Sequence, residues 1–359
     1  MKILALTRYD MLSASTRQRF VQYEPYLAEA GFSVEYSSLL DNEYLQRLVE
    51  GRPASRTAIA RAYFARLRRL IGRSDYDALW VHSELFPFLP GWAELLGSRL
   101  GGRPMVLDYD DAVFHTYDAA PRPLVRRLLG RKLVPLMRRA AACCCGNPYL
   151  QAYASKHCPR TLVVPTVVDT DDYRPLPSRA GNRALTIGWI GSPSTWSSVQ
   201  AILPMLREVA AEREVRIKAV GAGAGALADR VGSVDLVDWE ESREIAEVQS
   251  MDIGIMPVPD VIWYRGKSGY KLIQYMACGL PVVASPVGVN AEIVGHGVNG
   301  FLAADDEQWK RALLQLIDDA DLRAAMGAAG RRRAEELYSL HTHGPRMAEL
   351  FRSVVARAG

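Results

Sequence analysis

Short apolar runs, each followed by a stretch of helical spacing, recur along this chain, and that alternation leaves few folds open. In the first half the runs are Lys2–Thr7, Phe32–Tyr36, Ala78–Val81, Met105–Leu107, Ala141–Cys145 and Thr161–Val164. In the second they are Ala184–Ile190, Val215–Val220, Val234–Trp239, Met251–Met256 and Pro281–Ala284. The fold class expected is therefore α/β, with two doubly wound parallel sheets. Between the two series, Pro165 to Arg183 carries three prolines and the acidic run Asp169 to Asp172, and reads as a hinge. A length of 359 residues suits two domains, placed at 1–170 and 171–340, with a terminal segment at 341–359. The opening strand, the loop Arg8–Thr16, the helix Arg17–Ala30 and the strand after Gly31 are Rossmann-like but lack G-x-G-x-x-G.

No apolar run reaches the roughly 18 residues that span a bilayer, and Met1–Leu6 is too short for a signal peptide, so a cytoplasmic protein is expected. Five cysteines, three of them consecutive at Cys143, Cys144 and Cys145, lack partners for a zinc cluster and read as small core residues. Charge is uneven. Residues 1–175 hold 24 Lys and Arg against 18 Asp and Glu, and the remainder 20 against 22. The excess lies in two acid-free segments, Arg52, Arg56, Arg61, Arg66, Arg68, Arg69, Arg73 and Arg122, Arg126, Arg127, Arg131, Lys132, Arg138, Arg139. Both interleave cations with apolar residues, which suits helices lying on an anionic membrane surface and equally a solvated basic face over a core. No nucleic-acid recognition motif accompanies them, and no nucleic-acid partner is expected.

The stretch Tyr264 to Gly300, YRGKSGYKLIQYMACGLPVVASPVGVNAEIVGHGVNG, carries the most chemistry. A cationic loop with Arg265 and Lys267 leads into a short helix bearing Lys271 and Gln274, which Gly279 ends as a left-handed cap. The buried strand Val282–Ala284 then opens into the loop Ser285–Gly288. Cations, orphan N–H groups and a helix N-terminus around one crevice form a place for a diphosphate.

The run GK-x-GYK-x-x-QYMA-x-GLPVVAS-x-VG-x-N resembles the donor-binding core of the retaining, metal-independent, nucleotide-sugar-dependent glycosyltransferases of family 4, with the GT-B fold. Weaker resemblance continues through Met1–Leu4, Val163 to Asp169 and Ile187–Gly191. The resemblance implies two Rossmann-like domains facing across a cleft, the first binding the acceptor and the second the donor, with the last helix crossing back to the first domain. Lys271 and Lys267 would neutralise the leaving diphosphate, helped by the N–H groups around Gly191, Ser192, Ser194 and Thr195. Many family members carry Arg and Lys in that loop; here it has no cation, so the load shifts to Lys267, Lys271 and Arg265. The family's paired glutamates align with Gly266, which cannot bond a sugar, and Gln274, expected on a ribose hydroxyl. Asp260, with Tyr264 as the alternative, is then expected on the donor sugar, beside Gly288. Glu292 fits a helix-start residue and a ligand contact alike.

In the first domain Asp110 aligns with a crevice histidine of the family, beside Asp111. Retention there is attributed to front-face attack with the leaving phosphate oxygen as base, so Asp110 would orient more than deprotonate. The other reading is that Asp108–Asp111 cap the next element or pair with arginine. Asp108-Tyr109-Asp110 also mimics a metal-binding D-x-D, but that motif belongs to another, one-domain architecture. Acceptor contacts are expected from Ser13, Ser15, Thr16, Asp111 and His115, with His82 as a further candidate. The co-substrate would be a UDP- or GDP-sugar, the acceptor a glycan or lipid-linked hydroxyl, and no metal or other cofactor would be required. Peripheral attachment to the inner face of the plasma membrane would suit such an acceptor. A nucleotide-sugar epimerase of the same architecture and a non-catalytic nucleotide-sugar-binding protein are the rivals.

Overall fold

The computed structural model describes residues 1–49, 51–71, 75–177, 184–223, 225–226 and 234–357. Arg73 of the first basic segment, residues 178–183 of the hinge and residues 358–359 of the terminal segment lie outside that description. The chain divides into two compact units. The first holds Met1–Thr166 with Arg265–Ser268 and the residues from His343 onward; the second holds Val167–Tyr264 with Gly269–Thr342.

The first unit is built on six parallel strands: β1 Lys2–Tyr9, β2 Ser33–Leu40, β3 Ala78–His82, β4 Met105–Tyr109, β5 Ala142–Cys145 and β6 Thr161–Val163. Their order is β2-β1-β3-β4-β5-β6, with Leu107 registered between Val81 and Cys143. Every residue of β3, β4 and β5 is buried, as expected for parallel strands covered on both faces. Cys143–Cys145 fill β5, and all five cysteines are buried free thiols. The helix Leu340–Ala356 contributes Phe351, whose ring lies edge-on to Trp80 at 5.1 Å and near Phe32 at 6.3 Å.

The helix expected over Arg17–Ala30 is three pieces, Ala14–Arg19, the 3₁₀ turn Val21–Tyr23 and Glu24–Glu29. Pro25, lacking an N–H, sits at the start of the last piece, where that donor has no helical partner. Helix thus begins at Ala14 rather than after Thr16. The second basic segment likewise divides into Pro123–Leu129 and Val134–Arg139, with Pro135 opening the second piece. One expected surface cation of each basic segment, Arg66 in the first and Lys132 in the second, is interior. Arg66 is buried and donates to the carbonyls of Thr7 and Ser37, and Lys132 is buried between Glu84 and Glu94. The carbonyls of Thr7 in β1 and Ser37 in β2, and the carboxylates of Glu84 after β3 and Glu94 on the helix Gly91–Gly101, let each cation remain in the interior.

The second unit has its own six parallel strands: β7 Thr186–Ile190, β8 Arg216–Val220, β9 Val234–Val237, β10 Ile253–Met256, β11 Val282–Ala284 and β12 Gly300–Leu302. β12 was not expected; Gly300-Phe301-Leu302 is too short to show alternation. The order β12-β11-β10-β7-β8-β9 reads 3-2-1-4-5-6 in the unit's own count from the other edge, the dinucleotide-binding arrangement, with its switch point between β7 and β10. The first sheet reads 2-1-3-4-5-6, with its switch point between β1 and β3. In open sheets of this kind ligands bind beyond the carboxyl ends of the strands beside the switch point. Among the described residues no helix is long and apolar enough to cross a membrane.

Candidate functional site

In the second unit, β7 delivers Gly191 to the switch point, where its N–H donates to Val220 O at 3.0 Å. The 21-residue helix Pro193–Arg213 starts at once, with Pro193 at its N-terminus. Ser192 and Ser194 are exposed, their hydroxyls 3.0 Å apart, and the Ser192 N–H reaches Thr195 Oγ1 at 3.4 Å. Of the backbone donors expected here, the Gly191 N–H thus goes to Val220 O, the Ser192 N–H to Thr195 Oγ1 and the Thr195 N–H to Ser192 O at 2.9 Å. What the turn offers an anion is therefore the positive end of the long helix and the exposed serine hydroxyls.

Lys271 arrives from the helix Tyr270–Ala277, which starts after Gly269 in the left-handed region (φ +67). One turn along that helix, the Tyr275 hydroxyl accepts from the Ile190 N–H at 3.0 Å and ties the helix to the end of β7. Lys271 shares that face and lies against the turn, its Nζ 5.7 Å from the Trp189 ring centroid. A Cβ on Gly191 would fall 2.3 Å from the Trp189 ring and 2.8 Å from Lys271 Cε. Glycine is what lets the lysine stem cross the turn. Lys271, Gly191, Ser192, Ser194 and Thr195 are thus brought together.

Gly279 (φ +73) follows the Lys271 helix, with its N–H on Met276 O and that of Leu280 on Tyr275 O, the paired bonds of a left-handed cap. Gln274 points away from solvent. Its amide nitrogen donates to Tyr173 Oη at 3.0 Å and to Glu244 Oε1 at 2.7 Å. Glu244 also accepts from the Tyr173 hydroxyl at 2.6 Å and from Trp239 Nε1 at 2.6 Å. Both amide hydrogens expected on a ribose are therefore used inside the unit, and Gln274 fixes Glu244. Glu244 itself was not singled out, because it sits in an acidic, helix-starting run with no distinguishing spacing. Gly288 (φ +56) lies in a loop closed by Asn290 Nδ2 on Ser285 O at 3.2 Å. Asp260 is exposed in the loop after β10, and Glu292 is exposed on the short helix Asn290–Ile293.

In the first unit the carboxylates at the end of β4 and just after it take separate roles. Asp108 and Arg19, both fully buried, are joined at 2.7 Å, and Arg19 also donates to Val164 O at 2.7 Å. This is the arginine pairing that was the alternative reading for the acidic run. Burial pushes the Asp108 carboxyl up, and Arg19 opposes it incompletely. Asp110 Oδ1 lies 2.9 Å from His82 Nε2 across the ends of β3 and β4. Burial alone would raise Asp110, but the facing His82, the Ser15 hydroxyl and Arg19 bring it well below the usual carboxylate range. Burial disfavours the His82 cation, yet Asp110 and Asp108 reverse that and raise its pKa. Asp110 and His82 are thus a buried charge-assisted pair beside the switch point, with the half-buried Ser15 on Asp110.

The remaining first-unit candidates are engaged elsewhere. Asp111 pairs with Lys267 at 2.8 Å, and Lys267 O accepts from Asn147 at 2.9 Å. Burial pushes Asp111 up despite Lys267, with the Asp110 charge adding to the rise. A Cβ on Gly266 would fall 2.4 Å from the Ala112 Cβ, so glycine is required for Arg265–Ser268 to lie against that segment. Arg265 ends the short helix Ile262–Arg265 and acts electrostatically on Tyr149. Both nitrogens of His115 are occupied, Nδ1 by Asp118 and Nε2 by Tyr149, each at 2.7 Å. Thr16 is buried and its hydroxyl donates to Tyr9 O at 2.8 Å, closing the turn. Ser13 is the residue before the helix Ala14–Arg19, its carbonyl taking the Arg17 N–H.

Comparison with known proteins adds the following. The family model described as "Glycosyl transferases group 1" matches residues 184–319. A D-inositol 3-phosphate glycosyltransferase from Thermobispora bispora is 26% identical over 270 residues, 66% of this chain and 61% of that protein. A protein of the same name from Kineococcus radiotolerans is 30% identical over 213 residues, 49% of this chain and 48% of that one. The chain therefore spans about half to three fifths of the length of these relatives. A phosphatidyl-myo-inositol mannosyltransferase from Mycobacterium leprae is 27% identical over 303 residues, 77% of this chain and 73% of that protein. Among solved structures, Anabaena HepE in complex with UDP and glucose superposes with a TM-score of 0.75 at 17% identity, covering 98% of this chain and 100% of that one. The lipopolysaccharide glycosyltransferase WaaG gives 0.69 at 16%, covering 98% and 99%. At such identities the structures establish the shared fold.

Proposed function

We propose that the chain is a GT-B glycosyltransferase of family 4 that moves a sugar from a UDP- or GDP-sugar to a hydroxyl of a glycan or lipid-linked acceptor, a reading supported by the family model over residues 184–319 and by the relatives above. The reading adds that configuration is retained and that no metal is required. It is carried by one observation, the Lys271 stem crossing Gly191 at the start of the helix Pro193–Arg213. There the leaving diphosphate meets an ammonium, the positive end of the helix and the exposed Ser192 and Ser194 hydroxyls, which stabilise the charge that grows as the sugar departs. A phosphate oxygen takes the acceptor proton on the face that the sugar leaves. Asp110, fixed as a carboxylate by His82, orients the sugar or the acceptor hydroxyl. Asp260 and Gly288 line the approach to the sugar.

A lipid-linked acceptor is supported by the helix Pro123–Leu129. Leu124 and Leu128 on it are 66% and 63% exposed, beside the exposed Arg122, Arg126 and Arg127. Such a surface suits the anionic inner face of a membrane. The M. leprae relative, by its name, acts on phosphatidyl-myo-inositol.

A thermal-shift screen of nucleotide sugars identifies the donor, since a ligand bound only by the folded state raises the midpoint. Transfer from that donor to candidate acceptors is then followed by mass spectrometry with and without EDTA. Turnover that persists in EDTA and largely disappears in Lys271→Ala supports the reading. Metal-dependent turnover, or a variant of normal rate, overturns it. Donor converted to another sugar without acceptor would favour the epimerase.

A further inference from the structure

Asp169, Asp171 and His341 take no part in the site above. His341 Nε2 lies 3.0 Å from Asp171 Oδ2 and 3.9 Å from Asp169 Oδ1. One ligand atom from each of the three lies within 4.8 Å of the others. These groups come from segments far apart in sequence that are locked to each other. The Val168 N–H donates to Tyr338 O at 3.1 Å, and the Leu340 N–H donates back to Val168 O at 2.9 Å. Between those bonds the hydroxyls of Thr170 and Ser339 meet in a buried contact of 3.1 Å, and Arg331 Nη2 donates to Thr170 O at 2.8 Å. The residues carrying the three ligands are thus held in place whether or not anything binds them.

We infer that Asp169, Asp171 and His341 form a binding site for one divalent transition-metal ion of the Zn²⁺ or Co²⁺ class. An imidazole nitrogen with two carboxylate oxygens is a borderline donor set. It suits Zn²⁺ and its neighbours better than Ca²⁺ or Mg²⁺, which take oxygen ligands. Ligand atoms at about 2.0–2.2 Å from a tetrahedral ion stand about 3.4 Å from one another. The His341–Asp171 spacing of 3.0 Å and the His341–Asp169 spacing of 3.9 Å bracket that value. Asp169 is half-buried and its Oδ1 also accepts from the Asp171 N–H at 2.8 Å; rotation of the exposed Asp171 carboxylate closes the set, and water completes it. Asp169 lies three residues after the division between Thr166 and Val167, and His341 two residues before that between Thr342 and His343. An ion here fastens to each other two of the four stretches at which the backbone passes from one unit to the other. This is a fastening role, separate from sugar transfer.

The test is a Co²⁺ titration of the full chain followed by its visible absorption, with Zn²⁺ calorimetry beside it. One equivalent is expected to saturate the site, and the thermal midpoint to rise in Zn²⁺. His341→Gln and Asp171→Asn, at side chains 51% and 81% exposed, keep the fold and weaken binding by about tenfold or more. His296→Gln, whose ring accepts from the Leu302 N–H, leaves the titration unchanged. Saturation at one equivalent that is lost in His341→Gln supports the site. No saturable binding, several weak equivalents, or binding unaltered in His341→Gln overturns it. Neither readout depends on turnover, so failure here leaves the transferase reading intact.

Discussion

The two switch points use opposite devices. At the end of β7 the polar groups stand at the surface of a turn, with exposed hydroxyls and a lysine stem lying across a glycine. At the ends of β3 and β4 the charges are interior: Arg19 with Asp108, and His82 with Asp110. A group open to solvent contributes little to folding and is available to a ligand, whereas a buried pair supports the fold and leaves a void of charge when halved. The sheets resemble each other, and the chemistry at their edges does not.

The sharpest way to break that contrast is Asp108→Asn. Removing one charge from a fully buried pair leaves Arg19 uncompensated, and a loss of about 3–5 kcal/mol in denaturant-unfolding free energy is expected. A loss under about 1 kcal/mol would mean that the pair is not the support described here. Lys271→Ala is the converse. It should lower kcat/KM by about 10²–10³-fold, the scale of removing one preorganised donor to developing negative charge. Its folding midpoint should move far less than that of Asp108→Asn.

Gly266→Ala comes next. An added methyl 2.4 Å from Ala112 Cβ should cost about 1–3 kcal/mol, or release Arg265–Ser268 from that segment. Either outcome appears as protection lost from the Arg265–Ser268 amides in hydrogen exchange. The pH dependence of the His82–Asp110 pair is a smaller effect. Asp110 is depressed, so its contribution is present above the ordinary carboxylate value and is lost as pH falls toward its folded value. His82 is raised, so its contribution is full below its ordinary value and is lost as pH rises through its folded value. The stability difference between the wild type and His82→Gln should be greatest between about pH 4 and 6.5 and shrink on both sides. A flat difference would show that the pair is not ionised. Ser194→Ala should be smallest, within about 0.5 kcal/mol in stability, with a few-fold rise in KM for the donor.

What could be read from the sequence tracks the length and regularity of each signal. β3, β4 and β5 each begin with an apolar run, and the structure places them within a residue or two of the expected ends. β12 has three residues and no pattern to read. Pro25 and Pro135 each restart a helix that periodicity alone would run together. Arg66 and Lys132 looked like surface cations because neighbours in sequence say nothing of partners brought in by the fold, here Thr7, Ser37, Glu84 and Glu94. The Lys271 turn was legible because its glycines and small hydroxyl residues are local requirements of a close approach. The Gln274–Glu244–Tyr173 contacts were not, since they join residues up to 101 positions apart.

The helix Leu340–Ala356 closes the first unit, where Phe351 covers Trp80 and Phe32. On the ribosome, then, the interior of this unit stays open on one side until residue 351 has been made. Until that moment Trp80 is covered by Phe20 and Tyr23 but not on its Phe351 side, and nascent chains halted before residue 351 offer that aromatic surface to chaperones and proteases.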